Sequence, residues 1–263
     1  PIPRTLTMAL YADMAVSVID ELPPGRMPID TAVVADARRD DVIGRIAGVV
    51  KSGQQAYWVC PLIEASEQID ANSVDEASEY LRTALPNVRL GILHGRMKPP
   101  DKASIMESFK RGDIQILVAT TVVEVGVDVP NATIMVIENP ERLGLAQLHQ
   151  LRGRVGRGRH KSHCILLYKT PLTEAARTRL QVIRDSRDGF YIAEQDLKLR
   201  GPGELLGSRQ TGEQLFRIAD LARHAHLLPE VMRRGDRLLD DNPEATQRLL
   251  RAWAPADIGH TAV

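Results

Sequence analysis

The feature that most constrains this fold is a series of short apolar segments set apart by helical periods. Ala56–Cys60, Ile114–Ala119, Thr133–Ile137 and Cys164–Tyr168 are near-continuously apolar and rich in β-branched residues. Strands that alternate apolar and polar residues have one wet face; strands like these are covered on both faces of a parallel sheet. Ile29–Val34 and Val88–Leu93 read as further strands. Between them, Arg39–Lys51 carries Val42, Ile43, Ile46, Val49 and Val50 at helical spacing, and Gly53 closes it. Leu62–Ser73 is polar and acidic and reads as a loop. Val74–Leu85 reads as a helix stopping before Pro86, and Pro100–Arg111 as a helix with proline at its start and Gly112 at its end. Leu145–Leu151 is a short helix. Strands alternating with helices predict an α/β fold, a parallel sheet with helices on both faces.

The character changes after Tyr168. Thr173–Arg184 and Phe190–Leu199 have helical spacing with a break at Asp188-Gly189, and Gly201-Pro202-Gly203 is predicted to end the second helix. A glycine-rich loop is expected to run to Gly212, followed by helices over Ile218–Leu228, Val231–Leu239 and Glu244–Trp253. At the other end, Thr5–Tyr11 suggests a short helix and Val16–Ile19 a short strand. The expected organisation is a lead-in over 1–28, a sheet domain over 29–170 and an all-helical segment over 171–263, with the boundary near Lys169–Thr173.

Charge narrows the partners. Lys plus Arg number 34 and Asp plus Glu number 34. No global basic field draws in a polyanion, so any such binding must use local patches. One patch stands out. Arg152, Arg154, Arg157 and Arg159 interleave with Gly153, Gly156 and Gly158, and no Asp or Glu occurs from Arg142 to Thr173. Guanidinium forks match phosphate oxygens in pairs, and glycine lets backbone approach a ligand, so the pattern indicates a phosphate-facing turn. Cys60 and Cys164 sit in apolar strands, as in a reduced cytosolic chain. No apolar run reaches membrane-spanning length, and nothing resembles a signal peptide. The chain opens Pro1-Ile2-Pro3-Arg4 without methionine, and we read it as a piece of a longer protein.

Ligands of open parallel sheets collect at the carboxyl ends of strands. Three segments fall there: Leu93-His94-Gly95-Arg96-Met97, then Ala119-Thr120-Thr121 through Gly126-Val127-Asp128, and the arginine cluster. Together they offer amides, hydroxyls and guanidiniums along one edge, a phosphate-binding inventory.

These segments resemble superfamily 2 helicases. Gln150-x-x-Gly153-Arg154-x-x-Arg157 is similar to motif VI, Ala119–Asp128 to motif V, His94-Gly95-Arg96 to motif IV, and Pro1–Thr5 to the tail of motif III. Ser17–Arg26, Glu138–Gly158 and Asp188–Gly212 resemble the RecG family of branch-migrating DNA helicases. The last of these looks like the translocation motif that this family shares with the transcription-repair coupling factor. The resemblance implies a RecA-like second motor domain followed by helices. It implies that Arg154 and Arg157 reach an ATP γ-phosphate held mainly by a first motor domain, that Gln150 positions their loop, and that Gly126 and Asp128 lie near the nucleotide. It implies that His94, Gly95, Arg96, Thr120 and Thr121 face the DNA backbone, and that Arg179, Arg200, Arg209 and Gln210 couple hydrolysis to movement with 3′–5′ polarity. ATP and Mg2+ would be the cofactors of the full-length protein. Branched duplex DNA (Holliday junctions and replication forks), the wedge and first motor domains, and single-stranded DNA-binding protein would be its partners, at the bacterial nucleoid.

The sequence holds no Gly-x-x-x-x-Gly-Lys-[Ser/Thr] loop, so the fragment alone is expected not to hydrolyse ATP. Asp75-Glu76-Ala77 imitates an acidic magnesium box but reads as an acidic first helical turn. His160, His163 and Cys164 lack a second ligand pair for zinc, so no metal site is expected. His224 and His226 read as surface residues, Trp58 as core, and Trp253 as packing in the last helix. Two alternatives stand beside the helicase reading: the motor of the transcription-repair coupling factor, and a DNA-binding module without motor activity.

Overall fold

The computed structural model describes residues 27–61, 67–120, 128–205 and 227–253. Its centre is a six-stranded sheet of β1 (Asp30–Ala35), β2 (Gln55–Val59), β3 (Leu90–Leu93), β4 (Ile116–Ala119), β5 (Ala132–Glu138) and β6 (His163–Tyr168). The order across the sheet is β1-β6-β5-β2-β4-β3, and every paired strand runs parallel. The parallel α/β expectation holds. The apolar runs are those covered on both sides: β2, β4 and β5 are buried at every residue.

The helices are α1 (Arg39–Lys51), α2 (Glu67–Ala84), α3 (Pro99–Arg111), α4 (Leu145–Arg152), α5 (Glu174–Asp185), α6 (Gly189–Leu205), α7 (Leu228–Asp241) and α8 (Pro243–Trp253). Alternate residues of each strand feed different cores. On one face Tyr57, Val59, Leu117, Met135, Ile137 and Leu166 meet α3, α4, α5 and the start of α6, among them Phe109, Leu148, Leu180 and Ile192. On the other, Ala56, Trp58, Ile116, Val118, Val136 and Leu167 meet Val42, Ile43 and Ile46 of α1 and Val74 and Leu81 of α2.

Two helix limits differ from expectation. The first turns of α2 fall inside the stretch read as a loop, because Glu67, Gln68 and Ala71 form helix well without an apolar stripe to signal it. Asp75 and Glu76 are therefore exposed positions inside a helix rather than its first turn. The helix α6 continues through Gly201-Pro202-Gly203. A proline in the last turn removes one bond near the helix end rather than interrupting a long ladder.

The described residues up to Gly201 form one compact unit, and those from Pro202 onward belong to another. Both α5 and the body of α6 thus go with the sheet, since Ala176, Leu180, Ile183, Ile192 and Ala193 are buried there. In the second unit, α7 and α8 pack on each other. The expected elements over 1–26 and 206–226, with the histidines at 224 and 226, lie outside the described residues. No helix among the described residues is long and apolar enough to cross a membrane.

Candidate functional site

The site grows from the carboxyl end of β5. Asn139 follows it with a left-handed φ of 43°, and a single 3-10 turn over Pro140–Arg142 leads to α4. The side chain of Gln147 accepts from the Gly144 amide at 3.1 Å and fixes the start of that helix. Leu145, Leu148 and Leu151 seat it in the core. The arginine cluster then leaves the helix as a tight loop: the amides of Gly153, Arg154 and Val155 bond back to His149, Leu151 and Arg152. Val155 is fully buried and anchors the loop.

Two glycines set the course of the loop. Gly156 has φ +78°, a conformation that side chains resist. At Gly158 a Cβ would lie 2.3 Å from the Pro130 carbonyl oxygen, so only glycine lets the two backbones touch. Beside that contact Arg157 faces Asp128 at 3.7 Å, with their side chains 30% and 58% exposed, and donates to the Gly153 carbonyl at 3.3 Å. The arginine loop and the segment after β4 are thus one assembly. A partly exposed ion pair at this separation contributes at most about 1 kcal/mol, so the guanidinium can exchange partners at little cost.

Tyr57 on β2 lies under this assembly. Its hydroxyl is pushed up to about 12 by burial, with Arg157 and Arg154 pulling down and Asp128 pushing up. The tyrosine is thereby a neutral floor within the field of both arginines. Gln150 is half-buried in the last turn of α4, and Arg154 is half-buried in the loop.

The predicted His94, Gly95, Arg96 and Thr120 fall at the far end of the same edge. His94 follows β3 and Thr120 follows β4, joined where the Thr120 amide donates to Leu93 at 3.1 Å. The Nδ1 of His94 and the Oγ1 of Thr120 are buried and meet no partner among the described residues. Gly95 and Arg96 are exposed, and Lys102 of α3 donates to the Gly95 carbonyl at 2.7 Å. Arg179 on α5 donates to the carbonyls of Glu141 (3.0 Å) and Leu143 (3.4 Å), just ahead of α4. Arg200 lies on α6; its side chain, and Thr121, Gly126, Arg209 and Gln210, are outside what is described.

Sequence reasoning missed two features. One of the four clustered arginines turns inward: Arg152 is 4% exposed, donating to the carbonyls of Ile183 at 2.7 Å and Ser186 at 2.8 Å. Helical spacing holds the clue, since Arg152 shares a face with Leu145 and Leu148. The second is a charge network at the carboxyl edge. Glu138 Oε1 accepts from Arg39 at 2.5 Å and from the Trp58 indole at 2.7 Å, and Arg39 also pairs with Asp36 at 2.7 Å. Burial opposes the Arg39 charge, but Glu138 and Asp36 more than offset it and hold the guanidinium above its ordinary value. An arginine opening a helix, against the dipole, and an acid closing an apolar strand were the available signals.

Comparison with known proteins finds relatives along most of the chain. Residues 40–159 match the helicase conserved C-terminal domain, and residues 186–251 match the C-terminal part of domain 3 of the ATP-dependent DNA helicase RecG. The chain is 57% identical over 256 residues to the ATP-dependent DNA helicase RecG of Escherichia coli K12, covering 97% of this chain and 37% of that one. RecG of Thermotoga maritima is 48% identical over 229 residues, 87% of this chain and 29% of the relative. A solved structure of RecG bound to a three-way DNA junction superposes with a TM-score of 0.68 at 47% identity, over 87% of this chain and 29% of that chain. The chain spans 37% of the length of its Escherichia coli relatives. Matched in two successive segments by these families and along nearly its whole length by these relatives, the chain belongs to the RecG family of ATP-dependent DNA helicases, as a C-terminal segment.

Proposed function

We propose that this segment is the second motor domain and tail of an ATP-dependent DNA translocase. The parent protein branch-migrates Holliday junctions and regresses stalled forks at the bacterial nucleoid, with ATP and Mg2+ as cofactors. The observation that carries this reading is the weld between the arginine loop and the segment after β4, with Gly158 on Pro130 and Arg157 beside Asp128. It presents permanently charged forks at the edge where parallel sheets bind ligands. No phosphate-cradling P-loop occurs in the same sequence. The arginines therefore act on a nucleotide held chiefly by another domain, where they stabilise charge developing on the transferred phosphoryl group. Gln150 keeps the loop in place. Gly126 and Asp128 border the nucleotide, and His94, Gly95, Arg96, Thr120 and Thr121 lie along the DNA. Arg179, Arg200, Arg209 and Gln210 carry the motion onward. Branched DNA, the wedge and first motor domains, and single-stranded DNA-binding protein are the partners.

The test is Arg157→Ala in the full-length protein. ATP hydrolysis is expected to fall by about 10³-fold, with affinity for a model fork little changed. Equal losses of hydrolysis and DNA affinity would remove the nucleotide role. Tight, salt-sensitive binding of a junction by residues 1–263 alone would favour a binding module instead.

A further inference from the structure

The inward arginine links two parts of the molecule that the proposed motor treats separately. Arg152 lies two residues before Arg154, in the last turn of α4. Its guanidinium holds the carbonyls of Ile183 (2.7 Å) and Ser186 (2.8 Å), at the carboxyl end of α5, and one further nitrogen meets His149 Nδ1 at 2.9 Å. A guanidinium only donates, so His149 Nδ1 must accept and the neutral ring carries its proton on Nε2. On that side the ring lies beside Gly189, the first residue of α6, where a Cβ would come 3.2 Å from Nε2. The turn from α5 to α6 is also held from outside, where Asp30 pairs with Arg187 at 2.9 Å and Lys161 at 2.8 Å. Arg179 reaches back from α5 to the carbonyls ahead of α4.

We propose that Arg152 and His149 are positioning residues that transmit displacement of the arginine loop to the α5–α6 turn. The mechanical argument is one of stiffness. Three charge-assisted or ring hydrogen bonds on a buried planar group leave it no alternative rotamer. A shift of the loop toward a nucleotide phosphate then carries the end of α5 with it, rather than being absorbed by side-chain rotation. Arg157 is held by a partly exposed contact and is the part able to exchange partners, whereas Arg152 cannot. The cluster thus divides into a phosphate-facing half and a half that grips the helix pair. An open groove of about 510 Å³ runs along α5 and this turn, lined by Thr178, Val182, Asp185, Ser186, Asp188 and Tyr191.

This inference rests on the motor reading, and its test keeps the two apart. Amide hydrogen exchange over residues 183–192 would be followed in the full-length protein with and without a non-hydrolysable ATP analogue, with fork unwinding per ATP measured in parallel. The unsubstituted protein should show a nucleotide-dependent change in that segment. Arg152→Met and His149→Leu should abolish the change and lower unwinding per ATP about tenfold, while hydrolysis falls less than about threefold. His149→Asn is the control for folding, because its side-chain oxygen replaces Nδ1 as acceptor; it should retain the change, and His149→Gln should not. Persistence of the exchange change in a folded His149→Leu protein overturns the inference. So does failure of His149→Asn to preserve it when its thermal midpoint matches that of the unsubstituted protein. If the unsubstituted protein binds the analogue and unwinds forks without any change at 183–192, the inference fails and the motor reading survives. If it binds no nucleotide, both fail.

Discussion

Arg39 and Glu138 meet at 2.5 Å although 99 residues separate them in sequence. Their side chains are 19% and 11% exposed. Trp58 completes the arrangement through its indole N–H, and the Arg39 guanidinium stands 5.8 Å from the Trp58 ring centroid and 5.7 Å from that of Tyr80. This joins the start of α1 to the start of the β5–α4 connection.

Glu138→Ala should therefore cost about 3 kcal/mol of stability, since removing one member of a buried pair leaves the other desolvated. Asp36 stays beside Arg39, which keeps the figure at the lower end. Glu138→Gln, which leaves Trp58 an acceptor, should cost less. Urea denaturation of the two variants decides it; a loss below about 1 kcal/mol for alanine would show that Asp36 alone suffices.

Gly158→Ala should be worse than Gly156→Ala. The first drives a methyl group onto a backbone oxygen; the second meets the end of the Ile29 side chain, which can shift, and a left-handed φ. Overpacking of the first kind costs about 1–3 kcal/mol, and an L-residue in the left-handed region about 1–2 kcal/mol. Thermal midpoints should fall in that order. The reverse order would mean that the loop and the Pro130 segment are free to separate.

The cysteines supply a prediction about pH. Burial pushes the Cys164 thiol from 9.0 up to about 12, with Arg152 acting weakly the other way. Because the folded-state value is raised, the neutral thiol's contribution is whole below pH 9.0 and is lost as pH rises toward 12. Stability should decline across that window, and Cys164→Ala should flatten the decline. Burial also raises the Cys60 thiol, helped by Glu138 and opposed by Arg39. A thiol reagent at about pH 8 should then label neither cysteine until the protein is denatured. Rapid labelling of the native protein would contradict the burial.

Much of the sheet was legible because burial on both faces leaves no ambiguity in composition. The run Ala56–Cys60 could be nothing but an inner strand, and β2 lies between β5 and β4. The arginine loop was legible as a tight turn because its glycines are the residues that accept a left-handed φ and a close backbone approach. What sequence could not give was direction. Arg152 and Arg154 are the same residue type in one short cluster, and only the helix phase set by Leu145 and Leu148 sends the first inward. Pairings such as Arg39 with Glu138 depend on the order of strands across the sheet, which local patterns do not encode. The first turns of α2 failed for a simpler reason: a helix that begins with polar residues shows no stripe to read.

The touch between Gly158 and Pro130 has a consequence for how freely this protein can change. A contact between side chains can be retuned by choosing another rotamer or a longer residue. Here main chain meets main chain with zero clearance, so neither partner has an adjustable part. The position of the charged tip at Arg157 is then inherited from the course of two chain segments rather than from any replaceable group. Natural variation around it should be confined to residues that leave both courses unaltered.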